Sequence, residues 1–196
     1  MLPTILDLAS LKAAYAAGLS PLDLVEEIIA RRKASDDPAI FITMTPDDDL
    51  RAAARELLAR VPEPNSLPLW GVPFAVKDNI DVAGLPTTAA CPAFAYHPEE
   101  DATTVARLKA AGAIVIGKTN LDQFATGLNG TRSPYGTPRN AVRADLIPGG
   151  SSSGSGVAVA AGLGAFAPGT DTAGSGRIPA GLHNIFGIKP VPFSHP

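Results

Sequence analysis

An α/β fold is what this sequence predicts, and three observations predict it. Residues 101–112 read as a helix stopped by Gly112, and Ala113-Ile-Val-Ile116 follows at once as a β-branched strand, so helix and strand share a tight junction. Phe74-Ala-Val76 is a short apolar run between Gly/Pro signals that ends on Lys77, the pattern of a buried strand. Helices with a single apolar stripe accompany these segments, and such stripes need a sheet or another helix to cover them.

Taken in order, Leu8 to Ala17 forms a short helix ended by Gly18. Ser20-Pro21-Leu22-Asp23 opens the next: Ser20 can cap, Pro21 suits the first helical position and Asp23 favours the positive end of the dipole. Leu24, Val25, Ile28 and Ile29 share one face, and Arg31, Arg32 and Lys33 close the helix at its negative end, so residues 21–33 form a surface helix. A third helix begins at Thr45-Pro46, carries Asp47, Asp48 and Asp49 in its first turn and runs to Val61. Beyond the strand at 74–76 and the 101–116 pair, residues 121–125 read as a helical turn and residues 129–140 as a long loop. Residues 157–163 form a helix apolar all round, which belongs in the core, and residues 184–189 approach as one more strand.

Composition narrows the function. With 45% hydrophobic residues in 196, the chain has material for one sizeable core. A net charge of -3 with scattered basic residues argues against nucleic acid as a partner. Cys91 is the single cysteine, and His97, His183 and His195 stand in separate contexts, so neither a disulfide nor a metal site is expected, and no cofactor. A lone cysteine suits a reducing compartment. Without a basic leader or an apolar run near the roughly 20 residues of a membrane span, the sequence predicts a cytoplasmic protein with no membrane partner.

Two motifs fail on physical grounds. Gly112-Ala-Ile-Val-Ile-Gly-Lys-Thr119 fits the spacing of a phosphate loop, but its four intervening residues are the strand itself, and wrapping them round a phosphate would waste a core. Gly150-Ser-Ser-Ser-Gly154 fits a nucleophile elbow, with Asp171 and His183 following in hydrolase order. An elbow needs an apolar strand before it, and Arg143-Ala-Asp-Leu-Ile-Pro148 is a poor one.

A different constellation survives: Lys77, a serine among residues 151–153, and Ser175 in Thr172-Ala-Gly-Ser-Gly176. Lysine acts as a general base only when neutral, and the apolar Phe-Ala-Val before Lys77 supplies the burial that lowers its pKa. Neutral lysine can take a proton from a bridging serine, which takes it from the nucleophile. Thr172, Ala173, Gly174 and Ser175 offer consecutive amides without bulk, as an oxyanion hole requires. Asp171 and Arg177 read as an ion pair bracing the loop, Ser152, Ser153 and Ser155 as turn and cap residues, and His183 and Cys91 as packing residues.

These segments resemble the amidase signature family. Gly149 to Gly154 matches its Gly-Gly-Ser-Ser-x-Gly motif, Gly169 to Ala180 its Gly-Thr-Asp-x-x-Gly-Ser-x-Arg-x-Pro-Ala motif, Pro73 to Asp78 its Pro-x-x-x-Lys-Asp strand end, and Gly117 to Asn120 its Gly-Lys-Thr-Asn segment. The resemblance implies a mixed β-sheet core covered by helices, Ser175 as nucleophile, Lys77 as base and Ser151 as the bridging serine, with Ser152, Asp171 and Arg177 in support. It implies a small amide or urea-derived substrate and no metal. Within the family, residues 119–136 and 171–177 look most like allophanate hydrolase, which implies hydrolysis of allophanate, a homodimer and a functional link to urea carboxylase. Another amidase, an amidotransferase A-like subunit, and an inactive structural remnant are the alternatives. The resemblance further implies the N-terminal portion of a single domain, with a helical segment at 1–65, the catalytic motifs at 66–190, an atypical tail at 191–196, and a sheet incomplete at the C-terminus.

Overall fold

The computed structural model describes residues 6–190, so the expected tail at 191–196 lies outside the described residues. Three strands form a mixed sheet among the described residues: β1 (Phe41–Met44), β2 (Pro73–Lys77) and β3 (Ile114–Thr119), in the order β1-β3-β2. The central β3 runs parallel to β2 and antiparallel to β1. Residues 165–168 continue the sheet beyond β2, with Ala75 N–H donating to Phe166 O at 3.2 Å and Lys77 N–H to Pro168 O at 3.0 Å. That extension delivers Thr170 and Asp171 beside the end of β2.

The helices are α1 (Leu8–Ala16), α2 (Pro21–Ala34), α3 (Asp47–Arg60), α4 (Thr103–Ala110), α5 (Ser153–Ala160) and α6 (Arg177–Leu182). The capping box of α2 forms as its sequence predicts, with Ser20 Oγ accepting from Asp23 N–H at 3.1 Å and Asp23 Oδ2 from Ser20 N–H at 3.0 Å. Arg32 departs from expectation. It is buried and donates to Ile116 O at 2.8 Å, Thr45 O at 3.1 Å and Asp47 Oδ1 at 2.8 Å, pinning α2 to β3 and α3. Among the described residues no side chain caps α4. Asp101 instead accepts from Ala83 N–H at 2.8 Å and Lys109 Nζ at 2.7 Å. The expected turn at 121–125 narrows to a 3-10 turn at Gln123–Ala125. The expected strand at 184–189 is not formed: the chain there is irregular after α6, an element the sequence reading lacks.

Apolar residues cover both faces of the sheet. Leu11, Tyr15, Leu24, Ile28, Leu50, Trp70, Ala75 and Ile116 fill one side with Val157 of α5, and Phe74, Val76, Val82, Val105 and Val115 fill the other. Tyr15 donates to Gly71 O at 2.8 Å and meets Trp70 edge to face at 4.9 Å, so its hydroxyl is satisfied inside the core. Among the described residues no helix is long and apolar enough to cross a membrane.

One irregularity decides where the polar residues of β3 point. Phe74 pairs with Val115 but Ala75 pairs with Gly117, so β3 carries an extra residue, Ile116. The bulge shifts the alternation by one, which sends Lys118 to the Val76 side and Thr119 to the Lys77 side. A Cβ at Gly117 would stand 2.7 Å from Thr43 O, so glycine is what lets β1 close against the bulge.

Candidate active site

Lys77 sits at the end of β2 with no exposed surface. Its Nζ donates to Ser151 Oγ at 2.7 Å and to Thr170 Oγ1 at 2.6 Å, and among the described residues no carboxylate pairs with it. Burial lowers its pKa to about 8, against the smaller upward pull of Asp122 and Asp171. A large fraction is therefore neutral near pH 8, the form a base needs.

Lys118, also fully buried, is held differently. It lies 3.4 Å from the buried Asp78 and donates to Pro86 O at 3.1 Å and Thr87 Oγ1 at 3.0 Å. Burial depresses its pKa while Asp78 pulls it back, so the carboxylate favours the charged form here. Asp78 also takes the Thr88 N–H at 2.9 Å. The adjacent ends of β2 and β3 thus present two lysines on opposite faces of the sheet, one among hydroxyls and one against a carboxylate.

Ser151 lies in a clamped loop. The Gly150–Ser151 peptide is cis, Gly150 N–H donates to Leu128 O at 2.8 Å, and Ser151 O accepts from Asp122 N–H at 3.0 Å. Asp122 in turn accepts from Gly130 N–H at 2.9 Å and Arg132 N–H at 2.8 Å, which fixes the segment that grips the serine. Helix α5 starts at Ser153, earlier than the apolar pattern suggests, so Ser153 and Ser155 are helical; Ser155 Oγ meets Thr119 Oγ1 at 2.7 Å. Gly154 permits the approach: its N–H donates to Asn120 O at 3.0 Å, and a Cβ there would run into Ile40 O and Asn120 N. Ser152 is the N-cap without a side-chain cap bond; its Oγ donates to Thr170 O at 3.3 Å.

Ser175 is brought to this loop by its carbonyl, which accepts from Ser152 N–H at 3.1 Å. The residue is 5% exposed, and its hydroxyl makes no hydrogen bond among the described residues. Asp171 organises the turn before it, accepting from Gly174 N–H at 2.9 Å, Gly176 N–H at 3.1 Å and Arg177 N–H at 3.1 Å, and from the Arg177 guanidinium at 3.0 Å on each oxygen. The guanidinium is the main reason its carboxyl lies far below the usual range. The four-amide expectation changes here, because the Gly174 N–H is spent on Asp171. Thr172, Ala173 and Ser175 keep amides that make no hydrogen bond among the described residues, and Thr172 and Ala173 are exposed.

The structure brings Lys77, Ser151, Ser152, Asp171, Ser175 and Arg177 into one region. His183 is separate from any Asp171 relay: it is buried, with Nδ1 2.8 Å from Pro179 O. No metal-holding group of three His, Cys, Asp or Glu side chains occurs among the described residues. Sequence reasoning left Asp78, Lys118, Asp122 and Thr170 without roles. Charge inside a β-branched strand was the available signal for Lys118, and the position directly before Asp171 was the signal for Thr170.

The protein-family model described as Amidase matches residues 23–192. Urea amidolyase of Saccharomyces cerevisiae is 52% identical over 170 residues, 87% of this chain and 9% of that protein. The A subunit of glutamyl-tRNA(Gln) amidotransferase from Symbiobacterium thermophilum is 44% identical over 191 residues, 95% of this chain and 39% of that protein. Among solved structures, the allophanate hydrolase of Kluyveromyces lactis superposes with a TM-score of 0.75 at 47% identity, over 86% of this chain and 28% of that one. The chain therefore spans less than half the length of each of these relatives.

Proposed function

The chain belongs to the amidase family, and we propose that it hydrolyses a non-peptide C–N bond, with allophanate as substrate and Ser175 as nucleophile. The observation that carries the chemistry is the 2.7 Å bond between Lys77 and Ser151 at a lysine with no carboxylate partner among the described residues. Neutral Lys77 takes the Ser151 proton as Ser151 takes that of Ser175, and Ser175 Oγ attacks the amide carbonyl. The amides of Thr172, Ala173 and Ser175 meet the oxyanion, with Asp171 and Arg177 holding the turn that presents them and Ser152 bracing the loop. Ammonia leaves with the returned proton, and water releases the acyl group by the same relay in reverse.

Allophanate is preferred as substrate because identity to urea amidolyase is 52%, against 44% to the amidotransferase protein. An amidotransferase A-like glutaminase is the second reading, supported by a match to that protein over 95% of this chain. The same proposal includes a urea carboxylase that supplies the carboxylated urea, a homodimer, a cytoplasmic setting, and residues 1–196 as the N-terminal portion of one amidase-signature domain.

Purified chain is expected to release ammonia from allophanate faster than from benzamide or glutamine, with kcat/KM rising through pH about 8 to a plateau as Lys77 loses its proton. Falling pH protonates the base and removes activity. A preference for glutamine transfers the proposal to the second reading, and no ammonia from any of the three substrates ends the hydrolase reading.

A further inference from the structure

Resting on the serine and lysine reading above, we propose that Thr170 is a positioning residue whose hydroxyl acts toward Lys77 only as an acceptor, turning the amine lone pair onto Ser151. Neutral lysine has two N–H donors and one lone pair, and only the lone pair can receive a proton. Lys77 faces two hydroxyls at nearly equal distance, Ser151 Oγ at 2.7 Å and Thr170 Oγ1 at 2.6 Å. If the lone pair turns to Thr170, the relay to Ser175 is broken. Something must distinguish the two.

Asn79 makes the distinction. Its side-chain amide approaches Thr170 Oγ1, with Nδ2 at 3.4 Å, while its Oδ1 is buried without a hydrogen-bond partner among the described residues. With Nδ2 inward, Thr170 accepts from Asn79 and its own proton is left free to face the amine. With the amide turned by half a rotation, Thr170 donates its proton to the buried Oδ1 and offers Lys77 only lone pairs. The turned amide is the one that gives the buried Oδ1 a donor, and it makes Thr170 an acceptor for the amine, so the lone pair is left for Ser151. The backbone fixes the three groups: Lys77 and Asn79 are two residues apart at the end of β2, and Thr170 follows the sheet extension that takes the Lys77 N–H at Pro168 O, 3.0 Å. Asp122 and Asp171, the carboxylates that act on Lys77, do so through space and give the amine no competing acceptor within bonding distance.

Lysine-resolved 13Cε titration of the whole chain, run beside ammonia release, tests this on Thr170→Val, Thr170→Ser and Asn79→Ala. Thr170→Val keeps the side-chain shape and is expected to lower kcat by roughly 10- to 100-fold with KM little changed. The Lys77 midpoint is expected to move down by about one pH unit, because the ammonium loses an acceptor. Thr170→Ser is expected to restore both, and Asn79→Ala to lower kcat by about a few-fold, since the hydroxyl proton is then free to face the amine. A Thr170→Val protein with the wild-type midpoint, or a Thr170→Ser protein that behaves like valine, overturns the proposal. The titration needs no turnover, so an inactive wild type with a Thr170-dependent midpoint counts against the hydrolase reading and supports the coupling.

Discussion

Ser175→Ala is expected to lower kcat for ammonia release by about 10⁴- to 10⁶-fold, the range found where a serine nucleophile acts as one unit with its base. Alanine leaves the amides of Thr172, Ala173 and Ser175 in place, so a small residual rate from the oxyanion site is expected to remain. Stability should scarcely change. The Ser175 hydroxyl makes no hydrogen bond among the described residues, and the residue is tied in by its carbonyl, which the substitution keeps. A steady-state assay with urea unfolding of the same samples separates the two effects. Near wild-type turnover in a folded Ser175→Ala protein would remove Ser175 from the mechanism.

Lys118→Met is expected to cost about 3–5 kcal/mol of unfolding free energy, read as a lower urea midpoint. It leaves Asp78 fully buried with the Thr88 donors but without its only cation among the described residues, 3.4 Å away. Much of the loss is expected to return in Lys118→Met with Asp78→Asn, because the uncompensated charge is then gone. A single variant as stable as wild type would show that the pair contributes nothing to the fold. The contrast with Lys77 separates the two buried lysines at the adjacent ends of β2 and β3. The pair on one face holds the β2–β3 junction, which leaves the lysine on the other face free to be neutral among hydroxyls.

The parts legible in sequence were those written in local chemistry. Ser20, Pro21 and Asp23 specify the start of α2 through contacts within four residues, and the β-branched run before Gly117 specifies β3. Of the proposed trio, Lys77 and Ser175 were legible from an apolar strand ending in lysine and a run of small residues, whereas Ser151 was singled out among residues 151–153 only by the resemblance to the family. What escaped depends on distant partners. Arg32 reads as a helix-end charge until the carbonyls of Thr45 and Ile116 are seen to receive it. Lys118 cannot be placed by alternation, since the bulge at Ile116 reverses the faces. One local bond escaped as well: the Gly174 amide reads as free until Asp171, three residues earlier, is found to occupy it. β1 is four residues long, too short for its pattern to show, and residues 184–189 have strand-like composition without a strand to pair with among the described residues.

The proposed chemistry turns on Lys77 activating Ser175 through Ser151 within this chain. Intact and peptide mass spectrometry after exposure to a serine-directed fluorophosphonate is its sharpest test. One adduct is expected, located on Ser175, formed faster as pH rises through about 8 and far more slowly in Lys77→Met. An adduct on another serine, or labelling of Ser175 at a rate indifferent to Lys77, would refute the relay.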